Sequence, residues 1–278
     1  MPPDIALDAR TWLWCANACY LAGFIYGTAK LARRRSHSRI VMLALMGAGF
    51  VVQTVALYLR GVERGSCPIT NGFEMFQFTA WSAVLVYLVI GTAFRMNLLG
   101  FLTSGLACVV GLSSLFLATD AAPTMQYISP AVQAHAGLAM LAYGFFATLA
   151  LGSGMHLLQS HALRHRRFEG LFRKLPSIVE TDRMNLRLLV VGCTLLAAAM
   201  AFIARQYHAD PSAISMTKLL LGSSVLVAYL ALLGLRLANK LVSRAFALCC
   251  IVVFLLALAA IAPIGSGMSV HGQGTHSR

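Results

Sequence analysis

Histidine is the residue type in this sequence best suited to chemistry, because a neutral imidazole can ligate a metal or exchange a proton near neutral pH. His135 lies in SPAVQAHAGLAMLAYGFFATL, where Pro130 would open a helix and the imidazole would fall in its first turns. His208, in RQYHADPSA, and His271, in SVHGQ, follow two other apolar runs. These three histidines are therefore candidates for one shared site, carried by separate helices.

His156 is excluded as a partner of His135, because it stands twenty-one residues further along the same run. That separation is about 31 Å at the helical rise of 1.5 Å per residue. His271 and His208 remain as partners that can reach the same membrane face. Two imidazoles on opposite sides of a planar iron porphyrin form a bis-histidine site, and such ligands need no close sequence spacing. A hydrogen-bonded structural histidine is the alternative, and the residue types leave both open.

A second polar group stands at the start of another apolar run, in RGVERGSCPITNGFEMFQFTAWS. Asn71 suits a helix N-cap, and Glu74, three residues on, completes a capping-box pattern. Alternatively, Asn71, Glu74 and Trp81 face the bundle interior and position a ligand, since an intramembrane carboxylate commonly needs a function. Arg60 and Arg64, expected in the adjoining outer loop, would either pair with haem propionates or extend to the interface.

The elements that must position these residues are apolar runs, since 59% of the 278 residues are hydrophobic and 11% are charged. Runs long enough to cross about 30 Å of hydrocarbon as helices fall at 11–31, 40–58, 73–93, 98–118, 132–158, 187–205, 215–238 and 243–263. The sequence therefore predicts an all-α, polytopic membrane bundle of about eight transmembrane helices. It leaves no room for a soluble catalytic domain.

Orientation follows from the basic residues, since Lys and Arg are retained on the cytoplasmic side. If the first helix enters from outside, sixteen of the 22 basic residues fall on inner loops, which places both termini on the outer, periplasmic side. The net charge of +13 is thus a membrane signature, and it indicates lipid and not nucleic acid as a partner. Residues 1–278 form one transmembrane domain, with a basic cytoplasmic loop at 159–186, suited to an amphipathic helix on anionic headgroups, and an outer tail at 265–278.

Motifs for other chemistries do not occur. The sequence contains no C-x-x-C-H for covalent haem attachment, no H-E-x-x-H and no nucleophile elbow. Any haem would therefore be held without a covalent bond, and a hydrolase finds no support.

Three segments resemble the CcsA/ResC-type cytochrome c assembly proteins and their HemX-like and YpjD-like relatives. CPITNGFEMFQFTAWS is similar to that family's P-x-x-N-x-x-E segment, VQAHAGLAMLAYGFF to its outer histidine followed by an apolar helix with a tyrosine, and SVHGQ to its second outer histidine. The resemblance implies that His135 and His271 are axial ligands of haem b. It also implies a CcsB/ResB-like membrane partner, an apocytochrome c client and a bacterial cytoplasmic (inner) membrane location.

The chain departs from the haem-delivering members in one segment. They carry a tryptophan-rich stretch ending in W-D-P-K-E, whereas this chain has QYHADPSAISMTK, with its three tryptophans elsewhere. That gap is typical of the HemX and YpjD branch. We therefore expect a haem-handling component of a cytochrome c haem lyase or synthase system, without turnover of its own. The alternative is a HemX-like regulatory or scaffold protein linked to tetrapyrrole synthesis or complex assembly.

Overall fold

The computed structural model describes residues 8–33, 38–65, 72–94, 97–117, 129–164, 177–209 and 216–266, and within these ranges every regular element is an α-helix. The helices in chain order are α1 (Ala9–Ala32), α2 (Arg39–Arg64), α3 (Gly72–Phe94), α4 (Asn97–Leu117), α5 (Pro130–Arg164), α6 (Ile178–Ala209), α7 (Met216–Leu237) and α8 (Ser243–Ser266). The prediction of an all-α polytopic bundle is confirmed.

Seven of these helices, α2 to α8, are long and apolar enough to cross a membrane. The remaining helix, α1, has 24 residues, a sufficient length, but Asn17, Tyr20 and two glycines interrupt its apolar residues. We call the end of the bundle at which α3 and α5 begin the outer end, following the distribution of basic residues.

Helices α5 and α6 are longer than the apolar runs 132–158 and 187–205 that predicted them. α5 continues to Arg164 and α6 begins at Ile178, so the segment 159–186, expected as a basic loop suited to an amphipathic helix, is helical at both ends as a continuation of α5 and α6. Residues 165–176 lie outside the described ranges. A drop in hydropathy does not end a helix, because its backbone groups stay paired with each other when the chain leaves the hydrocarbon.

Local signals explain where individual helices begin and end. At the start of α5, the Ser129 hydroxyl accepts a hydrogen bond from the Val132 amide at 3.4 Å, and Pro130 occupies the first helical position, where no amide hydrogen is needed. α2 ends at Gly65, whose φ of 65° lies in the left-handed region that glycine adopts at low cost.

The helices form two groups joined through α3 and α5. In the first, α1 packs against α2 and α4, and α3 packs against α4; in the second, α5 packs against α6 and α8, and α7 packs against α6 and α8. The two groups meet where Gly144 of α5 crosses Ser82 of α3. A Cβ atom on Gly144 would lie 2.6 Å from the Ser82 carbonyl carbon and 2.8 Å from its oxygen. Only a glycine allows the two backbones to approach this closely.

Inside the second group, the rings of Phe146 and Tyr229 stack nearly parallel, with their centroids 3.5 Å apart. Both side chains are fully buried. Gly192 of α6 leaves the space for the Phe146 ring, since a Cβ there would lie 2.5 Å from a ring carbon. The stack therefore fixes α5 and α7 relative to each other across the face of α6.

At the inner end of the same group, Arg236 joins three helices. Its guanidinium forms an ion pair with Asp182 of α6, donates a hydrogen bond to the Leu241 carbonyl at 3.2 Å, and lies 5.0 Å from the centroid of the Phe246 ring. These contacts close the turn between α7 and α8 and tie it to α6.

Candidate functional site

His135 lies in the second turn of α5, with its side chain partly buried. Its Nδ1 atom is 2.8 Å from the carbonyl oxygen of Ala199 in α6. A carbonyl only accepts hydrogen bonds, so this contact requires the Nδ1 tautomer to carry the proton. The Nε2 lone pair is then free, and in the part of the chain that the structure describes no group binds it. A histidine oriented through Nδ1 in this way is the usual arrangement of a metal-ligating imidazole.

Glu74 and Arg60 form a buried ion pair. The Arg60 Nε atom lies 3.5 Å from Glu74 Oε1, and the two side chains are 7% and 0% exposed. The guanidinium also lies over the Phe73 ring, 4.7 Å from its centroid. Arg60 belongs to α2 and not to the outer loop in which we expected it. Of the two expectations for Arg60, pairing with haem propionates or extension to the interface, the first meets a guanidinium that already has a protein carboxylate beside it.

Helix packing brings Glu74 and His135 to the same depth. Thr79 of α3 contacts Met140 of α5, with the hydroxyl 3.8 Å from the sulfur. Glu74 stands five residues outward from Thr79, and His135 stands five residues outward from Met140, so both lie about 7–8 Å beyond this contact. Since α3 and α5 pack directly against each other, the ion pair and the imidazole occupy the same end of the bundle.

Trp81 lies away from this group. Its indole Nε1 donates to the Thr54 hydroxyl at 2.8 Å, and its ring stacks on Phe50 with the centroids 5.2 Å apart. Trp81 is seven residues inward of Glu74, a separation of about 10 Å along α3. Its observed contacts are with α2 and with its own helix, so its role is the packing of α2 against α3.

His208 lies in α6 and not in a loop between helices, as the sequence had led us to expect. Its side chain is exposed, and its ring makes an edge contact with Tyr207, with the centroids 6.4 Å apart. Nine residues separate it from Ala199, so it lies about 13 Å further outward along α6 than the carbonyl that binds His135.

The other predicted site residues lie at the edge of the described ranges or outside them. Arg64 is the last residue of α2, in the helix and not in the expected loop, and its side chain lies outside the described part of the chain. Asn71 and His271 also lie outside the described ranges. Within those ranges, no group of three or more His, Cys, Asp or Glu residues could hold a metal ion.

A buried polar network in the first helix group was not predicted. The Tyr20 hydroxyl donates to Gln53 Oε1 at 2.7 Å, and Gln53 Nε2 donates to Gln77 Oε1 at 2.8 Å. Gln77 Nε2 in turn donates to the Ser114 hydroxyl at 2.7 Å. The network links α1, α2, α3 and α4 in order. Its sequence signal was a single glutamine in each of two apolar runs, which any helix pairing could have explained.

At the inner end, His156 is buried at 2% exposure, and its Nε2 lies 3.4 Å from the Ser243 hydroxyl of α8. His156 therefore belongs to the contacts that join α5 to α8 at the inner end of the bundle, whereas His135 lies at the outer end of the same helix.

Fold and site together define a multi-pass helical membrane protein that presents an imidazole at the outer end of its central helix. Residues 69–202 match the family model described as Cytochrome C assembly protein. The chain is 31% identical to Protein HemX of Brevibacillus brevis over 192 residues, which is 68% of each chain. The chain therefore belongs to the cytochrome c assembly protein family in which HemX and CcsA proteins are found.

More distant relatives show the same relationship. The chain is 26% identical to Protein HemX of Bacillus subtilis (strain 168) over 163 residues, 56% of this chain and 58% of that protein. It is 29% identical to the Cytochrome c biogenesis protein CcsA of Chlorella vulgaris over 125 residues, 43% of this chain and 39% of that protein. The chain thus spans less than two thirds of the length of these two relatives. The family match includes Glu74, His135 and Ala199, and it ends before His208 and His271.

Proposed function

We propose that the chain binds or passes haem as an integral membrane component of cytochrome c biogenesis, in the bacterial cytoplasmic (inner) membrane. His135 and His271 would be the axial ligands of a non-covalently bound haem b. The observation that carries the proposal is the 2.8 Å contact between His135 Nδ1 and the Ala199 carbonyl. It fixes the ring and its tautomer and leaves Nε2 as the ligating atom, the arrangement that metal-binding histidines use.

The path of α8 supports His271 as the second ligand. The Tyr143 hydroxyl of α5 donates to the Ala257 carbonyl of α8 at 3.4 Å. From this contact, His135 stands eight residues outward on α5, and Ser266 stands nine residues outward on α8. The last described residue of α8 is thus close to the depth of His135. Five further residues lead to His271, and such a length of chain spans at most about 17 Å.

In this proposal the chain contributes ligation and placement. Bound haem supplies the vinyl groups to which the thiols of an apocytochrome c are joined. His135 holds the ring position through α6, and the Glu74 and Arg60 pair sets α2 against α3 at the same depth. The client and a CcsB/ResB-like partner with a large outer domain would provide the reactive thiols and their orientation.

The test is the optical spectrum of the purified protein, expressed in haem-replete cells. The wild-type protein is expected to show a Soret band with low-spin bis-histidine character. His135→Ala and His271→Ala should each remove that character, because each leaves the iron with one axial imidazole. His208→Ala is the matched control, since it removes an exposed outer histidine and should leave the spectrum unchanged. A colourless wild-type preparation contradicts the proposal.

A second function is a HemX-like regulatory or scaffold role, without haem delivery. It is favoured by the extent of the HemX alignment, 68% of each chain compared with 39–44% of the CcsA proteins, and by the segment QYHADPSAISMTK, which has no tryptophan. This role predicts a colourless protein whose deletion changes tetrapyrrole synthesis or complex assembly. It also predicts that His135→Ala and His271→Ala complement the deletion as well as the wild-type gene does.

A further inference from the structure

Lys218 is the third residue of α7, and its side chain is partly buried at the outer end of a membrane-spanning helix. In the described ranges no carboxylate forms an ion pair with it. An ammonium group at the edge of the hydrocarbon costs free energy unless an opposite charge or a hydrogen-bond acceptor compensates it. Lys218 is therefore a residue for which the described protein offers no compensating group.

The ring stack of Phe146 and Tyr229 shows where Lys218 lies relative to His135. His135 stands eleven residues outward from Phe146 on α5, and Lys218 stands eleven residues outward from Tyr229 on α7. Both helices run inward from the outer end, so the two residues lie at the same depth, about 16 Å beyond the stacked rings.

The same count also fixes the helix face. Eleven residues at about 100° each complete three turns with about 20° in excess. His135 thus stands almost directly above Phe146, and Lys218 almost directly above Tyr229. Because these two rings face each other, Lys218 faces His135 across the space between α5 and α7. Gly222, one turn inward of Lys218, lies against Met200 of α6, so this face of α7 also borders α6.

We propose that the Lys218 ammonium binds a carboxylate of the metalloporphyrin that His135 ligates; this inference rests on the proposed function. Arg60 was one of two arginines that the sequence offered for this contact, but Arg60 has the Glu74 carboxylate 3.5 Å away. Lys218 lies at the depth of His135 on the facing helix. In the described ranges no carboxylate forms an ion pair with it. Its Nζ donates to a propionate oxygen, and the carboxylate compensates the charge of the partly buried ammonium.

A comparison of two ligands distinguishes this contact from porphyrin binding in general. Ferric haem carries two free propionates, and its dimethyl ester carries none, whereas the iron and its axial ligation are the same. We expect wild-type protein in detergent to bind haem roughly tenfold more tightly than the ester, the effect of one hydrogen bond between charged groups. Lys218→Gln should lose this preference by weakening haem binding roughly tenfold while leaving ester binding unchanged.

The controls are two variants that differ from Lys218→Gln in one respect each. Lys218→Arg keeps the charge and should retain the preference for haem. Arg205→Gln removes an outer charge from α6 on an exposed face, about 140° around the helix from Met200, and should bind both ligands within about twofold of wild type. All variants should retain the low-spin spectrum.

Three results overturn the inference. If Lys218→Gln binds haem as wild type does, or weakens haem and ester equally, no propionate contact exists. If Lys218→Gln loses the low-spin spectrum, Lys218 is an axial ligand and not a carboxylate contact. If the wild-type protein binds neither porphyrin, the proposed function fails as well. The first two results are seen only in Lys218→Gln and leave haem binding by the wild-type protein intact, so the two kinds of failure can be told apart.

Discussion

Gly144→Ala should test whether the crossing of α3 and α5 sets the geometry of the outer end. The new Cβ would lie 2.6 Å from the Ser82 carbonyl carbon, whereas ordinary contacts begin at 3.4 Å, so α3 must move by about 0.8 Å. The obstacle is backbone, which cannot rotate away as a side chain would. Overpacking of this kind costs about 1–3 kcal/mol.

Gly154→Ala is a matched control in the same helix, because nothing lies within 4 Å of a Cβ at that position. Both substitutions gain about 1 kcal/mol of helix propensity, and this gain cancels when the two variants are compared. Gly144→Ala should therefore be about 1–3 kcal/mol less stable than Gly154→Ala. At about 2–4 °C for each kcal/mol, thermal unfolding followed by circular dichroism in detergent should separate them by about 2–12 °C.

The difference between the two variants is the quantity that matters. If Gly144→Ala and Gly154→Ala unfold within a degree of each other, the backbones of α3 and α5 do not meet at Ser82. The equal depth of Glu74 and His135 would still rest on the contact of Thr79 with Met140.

Two further variants probe the buried polar groups of the first helix group. Gln77→Leu removes three hydrogen bonds, to Gln53, Ser114 and the Gly111 carbonyl. At about 0.6 kcal/mol for each interhelical hydrogen bond in a membrane protein, Gln77→Leu should lower the free energy of unfolding by about 2 kcal/mol. The control Ser113→Ala loses hydrogen bonds only within α4 and should lower the free energy of unfolding by far less. Glu74→Gln leaves the buried Arg60 guanidinium without its carboxylate and should cost on the order of 3 kcal/mol, part of which Arg60→Met should restore in the double variant. A single Glu74→Gln variant as stable as wild type would contradict the buried ion pair.

Much of the fold could be predicted because the membrane imposes one simple rule, that each crossing needs about 20 apolar residues. The eight apolar runs correspond to the eight helices, and the alternation of basic loops agrees with the antiparallel order of neighbours. The ends of the helices were harder to predict. His208 and Arg60 were assigned to loops because hydropathy falls near them. A helix nevertheless continues through such residues, because its hydrogen bonds join backbone groups and do not depend on the hydropathy of the side chains.

The partners of individual side chains could not be predicted from one sequence. Tyr20, Gln53 and Gln77 meet only because three helices present the right faces at the same depth. Face and depth depend on the packing of every neighbouring helix, including the close crossing at Gly144. The contact of His135 with a carbonyl of α6 is of the same kind, since a backbone acceptor leaves no trace in residue type. The sequence singled out His135 as a candidate, because a histidine in an apolar run is rare enough to be informative.

The stacked rings of Phe146 and Tyr229 block the passage of a ligand between α5 and α7 in the second helix group. With ring centroids 3.5 Å apart, no small molecule fits between them, and both rings are held from behind, one by Gly192 of α6 and the other by its buried position in α7. A ligand seated between α5 and α7 at the outer end therefore has a closed base beneath it. Such a ligand would arrive and depart from the outer end or sideways between the helices, because the stacked rings close the path towards the inner end.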